Sequence, residues 1–221
     1  MARIDLYRNV HKGQRAHLFA LASALGSVDP AEPAAMAELA VRLRMMIADL
    51  RQHAATEETF IHPLLEARAP EIAAALEREH RQVDTALDQV EREIGRLETG
   101  GDAFTVSTEL YRVWCMMVSA YLSHLDQEER VAMVALWRSC TDEEIFAVIR
   151  AFVASRSADD LLEDVRSQVP ALTPQERAAY VGAVIRGGAV PAERVWGSLS
   201  TILPPPVLSR LRLDLGAAAA R

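Results

Sequence analysis

Four long stretches of apolar residues at three- and four-residue spacing most constrain how this chain can fold. They run from about Ile4 to Leu25, Ala34 to Ala67, Glu71 to Leu97 and Phe104 to Ser139. Such spacing predicts amphipathic helices. Glycine and proline in "GSVDPAEP", "EARAP" and "ETGGD" predict where the helices end. Because helices joined by short turns pack as antiparallel neighbours, we expect an up-down-up-down four-helix bundle over residues 1–139.

The chain continues after Cys140 with shorter helical segments. "TDEE" and "TPQE" both match the Thr-x-x-Glu capping box, and Pro174 suits the first helical position. "RGGAVP" and "LPPPV" separate the remaining segments. We therefore predict an all-α protein in which residues 140–221 form a second domain, a C-terminal extension of shorter helices.

Charge and composition exclude several function classes. The net charge is −7 and basic residues are interspersed with acidic ones, which argues against a nucleic-acid partner. No apolar run is as long as a membrane span, and the N-terminal sequence has no export signal, so we expect a cytoplasmic protein with no membrane partner. Two cysteines without a Cys-x-x-Cys motif support neither a disulfide framework nor a zinc finger.

A duplicated histidine–glutamate pattern predicts a metal site. "HAATEE" at residues 53–58 and "HLDQEE" at residues 124–129 both read His-x-x-x-Glu-Glu, and another histidine precedes each motif by 42 and 44 residues. A repeat of ligand types at matched spacing is much less expected by chance than either half alone. The six candidate ligands are His11, His53, Glu57, His80, His124 and Glu128.

The spacing also predicts that these six side chains meet at one level of the bundle. The midpoints between candidate ligands on successive helices are residue 32, about residue 68 and residue 102, and all three fall in predicted turns. At about 100° per residue, the apolar residue seven positions after each histidine shares its helix face, so the histidines are expected to point inward. Those apolar residues are Leu18, Phe60, Leu87 and Val131.

Inward histidines and carboxylates need compensation, because burying them unpaired costs several kcal/mol. A hydrogen-bonded histidine network is the alternative, and it explains the repeat poorly. Two metal ions suit six such ligands better than one, because carboxylates can bridge two ions and leave coordination positions open.

The same helical geometry predicts the directions of four polar neighbours of the candidate ligands. His62 lies about 180° from His53 and is expected to face outward. Glu58 is expected to be a solvated charge beside Glu57. Asp84 and Tyr121 fall within about 60° of the ligand faces of their helices. Either could hydrogen-bond a ligand imidazole or gate access to the metals, and plain packing or a surface position is equally compatible.

The residues carry a resemblance to a known family. The order His…His-x-x-x-Glu…His…His-x-x-x-Glu over roughly residues 1 to 138 resembles the hemerythrin-like (HHE) cation-binding domain. The resemblance implies a non-haem di-iron centre with terminal histidine ligands and two bridging glutamates. Carried over, His11, His53, His80 and His124 would be terminal ligands. Glu57 and Glu128 would be the bridges.

One departure from oxygen-carrying hemerythrin bears on function. That protein has a further histidine one turn from the one on its third helix, whereas Leu76 and Asp84 flank His80 at those positions. The four-His, two-Glu set is more similar to bacterial di-iron proteins that repair iron–sulfur clusters, although their usual cysteine-bearing N-terminal domain is missing from this sequence. The resemblance therefore implies reaction with O2, peroxide or NO more than simple oxygen carriage.

Three functions remain open on the sequence. The first is a di-iron protein that binds or senses O2, peroxide or NO under oxidative or nitrosative stress. The second is a di-iron enzyme for peroxide or NO turnover, or for iron donation to damaged clusters. The third is an interaction module in which the metal is only a structural staple, and in each case Zn or Mn could substitute for iron. The C-terminal extension favours regulation or a homodimer formed through its helices, and no catalytic residue is assigned.

Overall fold

Helices make up all the regular structure in the described part of the chain. The computed structural model describes residues 3–219, and within that range it contains no β-strand, which confirms the predicted all-α class. The terminal residues of the two predicted domains, 1–2 and 220–221, lie outside the described range. The helices are α1 (Arg8–Ser27), α2 (Pro33–Phe60), α3 (His62–Arg68), α4 (Pro70–Glu98), α5 (Ala103–Gln127), α6 (Met133–Ser139), α7 (Asp142–Ser155), α8 (Ala158–Gln168), α9 (Pro174–Gly187), α10 (Ala192–Ile202) and α11 (Pro205–Ala219).

The described chain divides into two compact units. The first unit comprises residues 3–5 and 17–148, and the second comprises residues 6–16 and 149–219. Helix α1 therefore contributes residues to both units. The division at residue 139 that the sequence suggested remains a prediction.

Four long helices of the first unit share one apolar core. The apolar stripes predicted from the sequence supply its side chains, which are at most a few per cent exposed. Trp114 is fully buried there, and its indole Nε1 donates a hydrogen bond to the carbonyl of Leu18 at 3.4 Å. Representative members are Leu18 and Leu21 of α1, Leu43 and Ile47 of α2, Leu87 and Val90 of α4, and Leu110 and Met117 of α5.

The helix ends predicted from glycine and proline agree with the structure. The three breaks lie between Ser27 and Pro33, at Ala69, and between Glu98 and Ala103. At the third break Gly100 has a positive φ of 85°, and the side chain of Asp102 accepts a hydrogen bond from the Thr105 amide at 2.9 Å. Glycine tolerates that backbone conformation, and an aspartate cap satisfies one of the free amides at a helix start.

Two interruptions were not predicted, and both change which way side chains face. The second predicted helix was expected to continue to Ala67, but α2 ends at Phe60 and α3 begins at His62. Pro63 explains this break, because proline has no amide hydrogen and its ring clashes with the carbonyl four residues earlier. The fourth predicted helix contains a π-helical turn at Glu128–Ala132, between α5 and α6.

The π-helical turn corrects one facing prediction. Val131 was expected to share the inward face of His124, but it is 40% exposed. A π-helical turn holds more residues than an α-helical turn, so the residues after it are rotated around the helix axis. The same prediction holds for Leu18 and Leu87, which are buried and lie in uninterrupted helices.

The second unit has its own core, formed chiefly by α8 to α11. Val165, Val181 and Val195 are among its fully buried side chains. The predicted capping box at Thr173 is present, since its hydroxyl accepts from the Glu176 amide and the Glu176 carboxylate accepts from the Thr173 amide. None of the helices within residues 3–219 combines the length and apolarity that crossing a membrane requires.

Candidate metal centre

The two His-x-x-x-Glu motifs form matching pairs within the first unit. Because residues four apart lie on one helix face, His53 Nε2 is 3.0 Å from Glu57 Oε1 on α2. His124 Nε2 is likewise 3.2 Å from Glu128 Oε1, at the junction of α5 and the π-helical turn. Each pair thus presents one imidazole nitrogen and one carboxylate oxygen to the same space.

His80 of α4 lies between the two pairs. Its Nε2 is 3.4 Å from Glu57 Oε2 and 3.7 Å from Glu128 Oε1. The two oxygens of the Glu57 carboxylate therefore face different histidines. Such an arrangement suits a carboxylate that bridges two cations.

Two overlapping groups of ligand atoms result. One group contains His53, Glu57 and Glu128, and the other contains Glu57, His80, His124 and Glu128. Within each group the candidate ligand atoms lie within 4.8 Å of one another. Both glutamates belong to both groups, so the first unit can hold two neighbouring cations with shared carboxylates.

Burial makes a compensating charge necessary at this site. Glu57 is 2% exposed, Glu128 is 0% exposed and His124 is 3% exposed. Two carboxylates removed from water cost several kcal/mol unless opposite charge lies beside them. Divalent cations provide that charge, and imidazole and carboxylate groups are suitable ligands for them.

Protons compensate part of this charge when no cation is bound. Burial alone would lower the pKa of His80, but hydrogen bonds to Glu128 and Glu57 outweigh burial and raise it to about 10. The pKa of His124 is also raised, because Glu128 and Glu79 outweigh the effect of its burial. Metal binding must therefore displace protons from these imidazoles.

His11 is the one candidate ligand outside the first unit. It lies on α1 among residues 6–16, its side chain is fully buried, and its ring centroid is 5.4 Å from that of Tyr7. The role of His11 as a ligand remains a prediction.

Comparison with known proteins agrees with this geometry. The family model described as the hemerythrin HHE cation-binding domain matches residues 2–136, which is more than half of the chain. The chain belongs to the hemerythrin HHE family. No curated protein and no solved structure shows a significant match to it. Cation binding is the property in the family description, and the hemerythrin domain of this chain contains buried histidine and glutamate groups suited to it.

Two further glutamates of the hemerythrin domain contact the imidazoles of candidate ligands. Glu58 Oε1 is 3.1 Å from Nδ1 of His80, and Glu79 Oε2 is 3.0 Å from Nδ1 of His124. A carboxylate on Nδ1 makes that nitrogen the proton donor and leaves Nε2 free for a metal. Glu58 was expected to be a solvated charge, and its side chain is indeed 51% exposed, yet it also makes this contact.

Sequence reasoning missed both orienting glutamates for the same physical reason. Each one lies next to a ligand in sequence but serves a histidine on a different helix, so helical periodicity cannot pair them. The second glutamate of the first His-x-x-x-Glu-Glu motif was the available signal for Glu58. No comparable signal marked Glu79.

His62 lies inside the hemerythrin domain instead of facing outward as predicted. Its side chain is 5% exposed, and its ring is parallel to that of His80, with 5.1 Å between centroids and an interplanar angle of 11°. The break before α3 explains the error, because the predicted direction assumed an unbroken helix. Burial, and then the charge of His80, lower the pKa of His62, so its ring is held neutral.

A cavity of about 230 Å³ opens beside the ligands. The two predicted neighbours, Asp84 and Tyr121, both line it. Asp84 is exposed and pairs with Arg51 at 2.9 Å, whereas the buried Tyr121 ring has its centroid 6.0 Å from that of His124. Asp84 thus lies at the entrance of the cavity, and Tyr121 lies near the candidate ligand His124.

Proposed function

We propose that this chain is a non-haem di-iron protein that binds or reacts with O2, peroxide or NO in the response to oxidative or nitrosative stress. The observation that carries the proposal is Glu57, whose two oxygens lie 3.0 Å from His53 Nε2 and 3.4 Å from His80 Nε2. A single carboxylate between two histidines on different helices suits a bridged metal pair better than a single ion.

Each residue of the proposed centre has a distinct role. The four histidines, His11, His53, His80 and His124, would be terminal ligands, and Glu57 and Glu128 would bridge the metals. Glu58 and Glu79 would keep the Nε2 atoms of His80 and His124 directed at the metals. When bound, the iron pair would supply the redox chemistry and the open positions for a small ligand. Zn or Mn can occupy such ligand sets in place of iron.

An enzymatic function is the second candidate, and the cavity favours it over a purely structural metal. A cation that serves only as a staple needs no access from solvent, since structural metal sites are closed. Here exposed residues and metal ligands line one cavity. Peroxide or NO turnover, or iron donation to damaged clusters, would use the same centre.

Metal analysis of the purified protein tests the proposal directly. We expect about two irons per chain, and near-ultraviolet absorption typical of an oxo-bridged iron pair after exposure to air. Zinc-loaded protein, which has no such absorption, is the control. A single metal per chain, or iron without these bands, would contradict a di-iron centre.

Titration with peroxide and with NO then separates the candidate functions. Stoichiometric spectral changes support binding or sensing, and repeated consumption of peroxide or NO supports an enzyme. A spectrum that neither ligand changes would leave the metal as a staple and contradict the proposal.

A homodimer formed through the C-terminal helices is a separate proposal. Leu213 of α11 is 70% exposed, which leaves apolar surface on that helix. Sedimentation equilibrium of the wild-type chain and of a Leu213→Glu variant tests it. Equal monomeric masses for both would reject the dimer.

A further inference from the structure

The cavity beside the ligands is larger than a diatomic molecule needs. Its volume of about 230 Å³ is several times the roughly 30 Å³ that one water occupies in the liquid. Four candidate ligands line it, so a molecule in the cavity can reach the metals. These ligands are His53, Glu57, His80 and His124. O2, NO and hydrogen peroxide would leave most of this space to water.

Apolar side chains supply one wall of the cavity. Leu50 of α2 and Val83 and Leu87 of α4 line it, and all three also belong to the core of the first unit. Apolar side chains offer water no hydrogen bonds. An apolar group of a ligand that packs against them leaves water, which is favourable. The cavity therefore suits a molecule with an apolar body.

Charge at the entrance disfavours an anion. Arg51 and Arg81 both line the cavity, and both already bind carboxylates. Arg51 contacts Asp84 at 2.9 Å, and Arg81 contacts Glu77 at 2.6 Å. Arg51 also contacts Asp88 and Glu91, at 2.6 Å and 3.1 Å. Neither arginine is left to attract an anionic ligand.

We propose that the cavity selects small organic molecules that are neutral in solution and carry one hydroxyl or hydroperoxyl group on a compact apolar body. The oxygen-bearing group faces the metals, and the body lies against Leu50, Val83 and Leu87. This inference rests on the proposed metal centre and adds a substrate class to it. Alkyl hydroperoxides and phenols belong to this class, and long-chain or anionic molecules do not.

Binding of phenol to the iron-loaded full-length chain tests the inference without requiring turnover. Phenol would bind ferric iron as phenolate and release its proton to solvent. The phenolate-to-iron charge-transfer band is visible, so the dissociation constant at a fixed pH follows from a titration. Azide, a small ligand with no apolar body, reports whether the metals have an open position. A second comparison uses 4-hydroxybenzoate, which has the same phenol group with a carboxylate at the far end.

A matched pair of variants locates the binding. Val83→Phe fills the cavity, whereas Val41→Phe makes the same change at a residue of α2 that is 57% exposed and does not line it. We expect Val83→Phe to weaken phenol binding at least about tenfold and to leave azide binding within about twofold of wild type. Val41→Phe should change neither, and 4-hydroxybenzoate should bind wild type about tenfold more weakly than phenol does.

The alternative outcomes are distinct. If azide binds the wild type but phenol does not, or if Val83→Phe leaves phenol binding unchanged, the cavity does not select organic ligands. If Val83→Phe weakens azide and phenol equally, the cavity is only an access route. Equal affinity for phenol and 4-hydroxybenzoate would reject the charge argument. Protein without iron would instead contradict the proposed metal centre. Iron that binds neither azide nor phenol would show that the metals have no open position and would reject this inference.

Discussion

Glu57 is one of the two residues that both ligand groups of the first unit share. Its two oxygens face different histidines, and it is 2% exposed. Its neighbour Glu58 is half exposed and contacts Nδ1 of His80. These adjacent glutamates differ in role because successive helical residues point about 100° apart.

Exchange of each glutamate for glutamine separates a bridging from an orienting carboxylate. Glu57→Gln removes the charge that two cations would share, so we expect metal content to fall from about two ions per chain to one or none. Glu58→Gln should keep both ions but weaken binding by about 10–100-fold, the usual effect of losing an orienting partner. Metal analysis and chelator competition measure the two effects. Equal loss in both variants would contradict these roles.

At the scale of elements, a glycine allows α1 to lie close to the C-terminal end of α8. A Cβ at Gly13 would lie 3.0 Å from the carbonyl oxygen of Ser167 and 3.3 Å from Cα of Gln168. Gly95 lies inside α4 and has nothing within 4 Å of the corresponding position. Both glycines are helical, but a methyl group at Gly13 would meet backbone atoms, whereas one at Gly95 would meet none.

Alanine at these two glycines should have opposite effects on stability. In Gly13→Ala, overpacking against backbone costs about 1–3 kcal/mol, which outweighs the gain of up to about 1 kcal/mol in helix propensity. Gly95→Ala keeps the gain alone and should raise the free energy of unfolding by about 0.5–1 kcal/mol. Urea unfolding followed by circular dichroism measures both. A stabilised Gly13→Ala variant would contradict this prediction and show that the backbone at Ser167 and Gln168 moves away at little cost.

A second contact of α1 within the second unit depends on pH. Lys12 Nζ lies 2.7 Å and 2.6 Å from the two carboxylate oxygens of Glu176 in α9. This hydrogen bond, opposed by partial burial and reinforced by Thr173, lowers the pKa of Glu176 to about 2. Because the folded pKa is depressed, the stabilisation is complete above the ordinary pKa of 4.5 and is lost as pH falls towards 2.

Glu176→Gln isolates this ion pair, because glutamine can still accept the capping hydrogen bonds from Thr173. We expect a loss of about 1 kcal/mol at pH 7, with the difference from wild type shrinking between pH 4.5 and 2. Urea unfolding at several pH values measures it. Glu163→Gln, at an exposed acid that pairs with Arg166 on the same helix, should change stability by less than about 0.5 kcal/mol throughout. If the stability difference between Glu176→Gln and wild type does not change with pH, the loss comes from the capping box with Thr173 and not from the ion pair.

At the scale of the whole molecule, the candidate metal centre links helices that are far apart in sequence. In the first unit its candidate ligands come from α2, α4 and the junction of α5 with the π-helical turn. A cation that binds only the folded arrangement stabilises it by mass action. Removal of the metal should therefore lower the melting temperature of the chain.

Calorimetry with and without chelator tests this linkage. Metal at 100 times its dissociation constant adds about 2.7 kcal/mol to the free energy of unfolding, so chelator should lower the melting temperature measurably. Glu57→Gln should show a smaller shift, since it lacks the shared carboxylate. An unchanged melting temperature in the wild type would mean that the metal contributes nothing to folding.

Sequence patterns were sufficient to predict the helices and to select the candidate metal ligands. The apolar spacing and the breaks at 28–32, 69 and 99–102 depend on neighbouring residues, and the structure agrees with them. The duplicated motif likewise selected Glu57, His80, His124 and Glu128, which the structure places in one buried group, although their role as ligands is still a prediction.

The sequence by itself determined the helical class and the positions of the main turns, because each depends on residues a few positions apart. It also determined the duplicated set of histidines and glutamates, because a repeat of residue types is visible without any knowledge of the fold. Only the tertiary structure decided that Glu58 and Glu79 orient histidines on other helices, that His62 packs against His80, and that a cavity opens beside them. The physical reason is that these contacts join different helices. Their geometry also depends on the interruptions at Ile61 and Glu128–Ala132. These interruptions rotate the following residues around the helix axis, and a prediction that assumes a regular helix does not include that rotation.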